Sequence, residues 1–242
     1  MWNFISRIKR NYKYRDNDAD WDQHVLAFLD KVFGNKHFSY LEVGSGLCRW
    51  VSQLPKHYPN IEITCIEINP DLAQIAKGNG FRVINKNVLD IRDLEQYDVV
   101  HCSHVIEHFK YPEVANLLDF LSSSTKIGGY TIIRTPLLWE RFYYDLDHVR
   151  PYPPEAIINY FHSCQQQKVG KAKPIVLQIQ YMVNPLCFNN LQPWNLLFRI
   201  HSLRFIYNYA INCLNSILKF FWNLLRYPCK APKGYTIFLT YK

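Results

Sequence analysis

Apolar positions along the chain fall into two alternating rhythms. "DADWDQHVLAFLDKVF" spaces them three and four apart behind an acidic start, which predicts a helix. "FSYLEVGSG" is a short apolar run ending in glycines, the pattern of a buried strand, and "CRWVSQLPKHY" reads as the helix after it. "IEITCIEIN" predicts a second strand, and "PDLAQIAKGNG" a helix with proline in its first turn and glycine at its end. "FRVINKNV", "YDVVHCS" and "GGYTIIRTP" read as further strands, with "PEVANLLDFLSSST" the helix before the last of them. "PPEAIINYFHSC" predicts another helix and "KPIVLQIQYMV" a sixth strand. About fifty residues then depart from the pattern before "GYTIFLTYK" closes the chain as a strand. Strands alternating with helices predict a doubly wound, mostly parallel α/β sheet.

Composition adds a compartment and a polarity. The 242 residues suit one α/β domain with an elaboration. Seven cysteines, none in a C-x-x-C pair, read as reduced thiols in the cytosol rather than as a zinc finger or a disulfide scaffold. The basic start "MWNFISRIKRNYKYR" is not followed by an apolar run of signal-peptide length, so no secretion signal is expected. Net charge is +8, unevenly spread: every acidic residue lies at or before Glu155. The first 155 residues hold 18 Lys/Arg against 20 carboxylates, and the remainder holds ten Lys/Arg and none. A C-terminal third of that kind faces something anionic, phospholipid or nucleic acid.

The chemistry begins at "LEVGSGLCRW", where Glu42, Gly44, Ser45 and Gly46 follow the first strand. Glycines there let the backbone approach a ligand and open toward it. The dinucleotide fingerprint G-x-G-x-x-G needs a third glycine where this chain has Arg49, which weakens NAD as the ligand. Glu67 ends the second strand in "CIEINP", placed to accept both ribose hydroxyls of an adenosine.

With "YDVVHCSHVIEHF" and "DHVRPYPPEAI" added, the chain resembles the class I S-adenosylmethionine-dependent methyltransferases, over residues 20–183 and 233–242. The resemblance implies a Rossmann-like seven-stranded sheet of order 3-2-1-4-5-7-6, its last strand antiparallel, with a helical insertion (184–232) before that strand and a basic arm (1–19) ahead of the domain. It implies S-adenosylmethionine as cofactor. Glu42, Gly44, Ser45 and Gly46 then cradle its methionyl end and Glu67 its ribose. In "INKNVLDIRDL", either Asn87 or Asp90 meets the adenine amine.

Ser103 and His104, at the end of the fourth strand, are expected to face the cofactor's reactive end, with Glu107 and His108 one turn on and His148 on a loop bordering the same crevice. His101 reads as a strand residue facing the helices, outside the site. The arrangement resembles that in two metal-dependent branches, the small-RNA 2′-hydroxyl and the ubiquinone-pathway methyltransferases, with H-x-x-E-H replacing their E-x-x-E-H. Three roles stand for the cluster. His104, Glu107, His108 and His148 suit zinc, iron or manganese. His108 or His148 can act as a base toward a substrate hydroxyl, with His104 a further catalytic candidate. Glu107 and His108 can simply fix the helix after the strand. A divalent metal is the least favoured of the three.

Between the last two strands, His201, Arg204, Asn208, Asn212, Asn215, Lys219, Asn223 and Arg226 recur at a mean spacing of about 3.6, the helical period, with Phe, Ile, Leu, Tyr and Trp around the rest. Such a helix lies in a membrane interface, packs on protein or, least expected, spans the bilayer. Cations without acidic neighbours favour anionic lipid. The sequence thus predicts a cytoplasmic, peripherally membrane-associated methyltransferase, O-methylating a lipid or lipid-linked glycan. The rivals are an RNA 2′-hydroxyl methyltransferase and a non-catalytic module of the same fold.

Overall fold

Every predicted strand forms, because each apolar run is bounded by turn residues. In the computed structural model, which describes residues 18–139, 141–163, 174–184, 209–218, 220–221 and 231–241, they build one sheet. The strands are β1 (Phe38–Val43), β2 (Ile61–Ile66), β3 (Arg82–Ile84), β4 (Tyr97–Ser103), β5 (Thr125–Pro136), β6 (Pro174–Asn184) and β7 (Ala231–Tyr241). Their order is β3-β2-β1-β4-β5-β7-β6. The pairs from β3 through β5 are parallel, and β7 runs antiparallel to β5.

The helices are α1 (Asp18–Val32), α2 (Leu54–His57), α3 (Pro70–Gly78), α4 (Glu113–Ser123) and α5 (Pro154–Ser163). One face of the sheet buries Phe38, Tyr40, Val99 and Ile132 against Val25 and Leu29 of α1, Leu54 of α2 and Ala76 of α3. The other buries Leu41, Val43, Val100 and Ile133 against Leu117 and Leu121 of α4 and Ile157 of α5.

Local chemistry explains where elements end. Asn69 caps α3 by accepting the N–H groups of Asp71 (2.9 Å) and Leu72 (3.4 Å), and Pro70 follows at the first helical position. Three expectations are corrected. The segment after the glycine turn is not one helix but a 3₁₀ turn, Val51–Gln53, running into the single turn of α2, whose second residue is Pro55. The third strand is three residues, not eight: the Asn85 amide turns back to donate to Glu67 O (2.7 Å), and Asn87 caps a 3₁₀ turn, Val88–Asp90. The fifth strand also starts earlier than read, at Thr125, through a register shift opposite Tyr97 and Val99.

The chain divides into two compact units, Asn17–Met182 with Pro232–Lys242, and Met1–Asp16 with Val183–Ala231. The first contains the sheet and everything in the next subsection. In the second, residues 209–218 and 220–221 are helical. Of the predicted polar stripe, Asn212 and Asn215 lie among the described residues; His201, Arg204, Asn208, Lys219, Asn223 and Arg226 lie outside those whose side chains are described, as does the basic N-terminal arm. No helix among the described residues is long and apolar enough to cross a membrane.

Candidate active site

The glycine turn needs its glycines. Gly44 sits at φ +76° and Gly46 at +51°, in the left-handed region that side chains adopt only at a cost. A Cβ on Gly44 would lie 2.5 Å from Val105 Cγ2, whereas nothing lies within 4 Å of one on Gly46. Gly44 and Ser45 donate their N–H groups to Ile66 O (2.9 and 3.4 Å), stitching the turn to β2. Glu67, nearly buried at the end of β2, accepts the Gly46 N–H on Oε2 (2.8 Å) and the Asn69 N–H on Oε1 (2.9 Å). The acid that was read as a ribose ligand is therefore also the brace of the turn. Its remaining lone pairs are free for hydroxyl donors.

Asn87 spends its side-chain oxygen on the Leu89 N–H (3.0 Å), and Asp90 is exposed. Ser103 closes β4 half-buried, beside Arg134 of β5. Glu42 is buried, its Oε2 2.9 Å from His101 Nδ1. His101 does face the helical layer, with Trp50 5.7 Å away, but it is bonded to Glu42 of β1, two residues before the glycine turn, which its sequence position does not announce.

The second cluster stands on the loop after β4. His104 takes φ +55°, its ring half-exposed and edge-on to Trp21 at 5.6 Å. Glu107 is fully buried. Its Oε2 accepts the Thr135 hydroxyl (3.1 Å); its Oε1 has His104 Nδ1 at 3.3 Å, without an aligned hydrogen bond. Its main-chain oxygen accepts the N–H groups of Val149 (2.9 Å) and Arg150 (3.2 Å), which ties the His148 loop to this turn. Burial, then the Glu107 carboxylate, pushes the Cys102 thiol and the Tyr235 phenol up.

His108 and His148 meet edge to face, 5.1 Å between centroids. His108 Nδ1 donates to Asp147 O (3.0 Å) and His148 Nδ1 to Phe142 O (2.7 Å). A carbonyl only accepts, so each ring carries a proton on Nδ1, and the neutral imidazole in that tautomer has its lone pair on Nε2. Asp145 Oδ2 lies 3.7 Å from His148 Nε2. Glu107, His108 and His148 offer donor atoms within 4.8 Å of one another, the group among the described residues that can hold a metal ion. His104, the fourth candidate, is outside that group. Sequence reasoning missed Thr135 and the Phe142 and Asp147 carbonyls; main-chain acceptors leave no mark in a sequence.

A 3-2-1-4-5-7-6 sheet with one antiparallel strand, a braced glycine turn after β1 and an acid after β2 defines the class I methyltransferase architecture. Residues 41–131 match a family model described as a methyltransferase domain. No curated protein matches the chain. Among solved structures, a SAM-dependent methyltransferase from Archaeoglobus fulgidus is similar at 20% identity and TM-score 0.57, over 91% of this chain and 94% of that one. The YcgJ protein of Bacillus subtilis is similar at 12% identity and TM-score 0.56, over 91% and 98%. The N-methyltransferase NodS of Bradyrhizobium japonicum, solved with S-adenosyl-L-homocysteine, is similar at 12% and 0.53, over 74% and 88%. The chain thus matches a methyltransferase-domain model over residues 41–131 and shares its fold with S-adenosylmethionine-dependent methyltransferases, enzymes whose cofactor is S-adenosylmethionine.

The residues fit that cofactor. The turn leaves open the space that a side chain at Gly46 would take, with the nearly buried Glu67 carboxylate on the Gly46 amide and the buried Glu42 two residues before Gly44.

Proposed function

We propose that this chain is an O-methyltransferase working at the cytoplasmic surface of a membrane, on a hydroxyl of a lipid or lipid-linked glycan. The paired imidazoles carry the hydroxyl part of the reading. When bound, the cofactor supplies a methyl group already activated on a sulfonium, so the protein's tasks are alignment and removal of a proton. A hydroxyl is a poor nucleophile until its proton is shared with a base. His108 and His148 each present Nε2 for that purpose, and the carbonyls on Nδ1 hold the rings and favour the imidazolium that forms. A divalent ion on Glu107, His108 and His148 is a second reading, supported by the 4.8 Å spread of their donor atoms.

The membrane part rests on the helical residues 209–218 and 220–221. Among these Ile217, Phe220 and Phe221 are 54%, 65% and 52% exposed, while Asn215 is buried. Large apolar side chains held outward need a cover, and a chain end with ten cations and no carboxylate suits anionic lipid, each cation near the surface contributing on the order of 1 kcal/mol. That same charge supports an RNA 2′-hydroxyl acceptor as the competing reading.

The test pairs binding with turnover. Wild-type protein should co-sediment with phosphatidylglycerol-containing vesicles at moderate salt, and replacing Ile217, Phe220 and Phe221 together by Asp should release it while S-adenosylhomocysteine still binds. A wild type left in the supernatant contradicts membrane docking; loss of RNA binding with a steep salt slope would favour the nucleic-acid reading. His148→Ala should bind S-adenosylhomocysteine normally and transfer no methyl group. Turnover abolished by a chelator and restored by a divalent ion would select the metal reading.

A further inference from the structure

Parallel register sets Glu42 of β1 beside His101 of β4, on the same face of the sheet. His101 has no exposed surface and Glu42 3%, and Nδ1 lies 2.9 Å from Oε2. Tyr40, two residues before Glu42 on the same face, accepts the Trp50 Nε1–H on its hydroxyl (2.8 Å). Burial, then Glu42, pushes the Tyr40 phenol well up, so it remains a donor. Glu42 is thus held by a side chain of the neighbouring strand. The arrangement is not good packing: His101 Nε2 is buried with no hydrogen-bond partner. A phenylalanine would fill the space beside Trp50 without leaving a nitrogen unsatisfied, and departures of this kind concentrate at functional sites.

Two acids border the glycine turn, and Glu67 is committed to the amides of Gly46 and Asn69. Glu42 is left for a cationic group. We infer that His101 is a positioning residue for the cofactor: it fixes the Glu42 carboxylate at the turn, where that carboxylate receives the ammonium of the methionyl end. This role rests on the methyltransferase reading and adds to it a residue outside the loop of the histidine cluster.

Calorimetry with two probes tests it, because S-adenosylhomocysteine carries the amino-acid end and 5′-methylthioadenosine lacks it. His101→Leu should weaken S-adenosylhomocysteine roughly ten-fold, the worth of a lost hydrogen bond to a charged group, and leave 5′-methylthioadenosine unchanged. His101→Asn, whose amide nitrogen stands where Nδ1 does, should restore most of the loss. Equal loss of both probes, or loss of neither, overturns the role. If His101→Leu does not fold, His101→Gln decides, since its amide reaches one bond past Glu42: selective loss supports the role and full retention overturns it. A wild type that binds neither probe contradicts the cofactor assignment itself, an outcome distinct from failure of the variants.

Discussion

Replacing Gly44 by alanine adds one methyl group where the backbone and the packing both oppose it. At φ +76° an L residue pays for the left-handed region, about 1–2 kcal/mol. The new Cβ also falls 2.5 Å from Val105 Cγ2, roughly 1 Å inside a normal carbon–carbon contact. Forcing a methyl group into such a site costs about 1–3 kcal/mol, so Gly44→Ala should destabilise by about 2–5 kcal/mol in all. Gly46→Ala is the internal control: φ is +51° but no atom lies within 4 Å, so only the dihedral cost, about 1–2 kcal/mol, applies. Val105 stands between His104 and the Ile106–His108 turn, so pushing it aside moves the histidine cluster as well as the glycine turn. Urea unfolding reads the stability, and S-adenosylhomocysteine calorimetry reads the site. In the double variant Gly44→Ala/Val105→Ala the collision is gone, so its cost should fall short of the sum of the singles by about 0.5–3 kcal/mol. The reasoning is refuted if Gly44→Ala costs no more than Gly46→Ala, or if the two substitutions simply add.

Glu67→Gln keeps one acceptor but loses the charge-assisted bond to one of the two amides, so S-adenosylhomocysteine should bind about 1.5–3 kcal/mol more weakly by calorimetry, with the Gly46 amide exchanging faster by NMR. At the opposite end of the sheet, partial burial raises the Asp98 carboxyl, but the Ser39 N–H (2.8 Å) and Oγ (2.7 Å) and Lys126 Nζ (3.0 Å) outweigh it and leave the group below its ordinary value. A depressed carboxylate stabilises above its unfolded pKa and loses that contribution as pH falls through the folded one. Asp98→Asn should therefore cost about 1.5–3 kcal/mol in urea unfolding near neutrality, shrinking toward zero in acid.

The sheet was legible because its strands are local events: an apolar run, a turn residue, an amphipathic run. Gly44 and Gly46 were legible for a related reason, since only glycine accepts positive φ cheaply there. Cys48 (φ +59°) and His104 (φ +55°) adopt the same region without any such signal, so the 3₁₀ turns near them leave no distinct pattern in the sequence. The truncation of β3 depends on where the Asn85 amide finds an acceptor, a choice made by tertiary neighbours. His108 and His148 could be paired because each lies near the end of a strand bordering one crevice. What holds them could not, because the anchors are the carbonyls of Asp147 and Phe142. His101 was set aside for the same reason: its partner is 59 residues away, and only the β1–β4 register joins them. Gly234 looked like an ordinary strand residue, yet a side chain there would collide with the Trp21 ring.

On the proposed reading, this domain moves a methyl group from S-adenosylmethionine to a hydroxyl presented at a membrane. The most direct measurement supplies methyl-tritiated S-adenosylmethionine to the purified protein with membranes from a strain lacking the gene. The lipid and lipid-linked glycan fraction is then extracted and treated with alkali, which cleaves methyl esters but not methyl ethers. Alkali-stable label in that fraction, absent with His148→Ala, is the predicted result. Label found instead in RNA, or in no fraction at all while the cofactor is bound, would contradict the account.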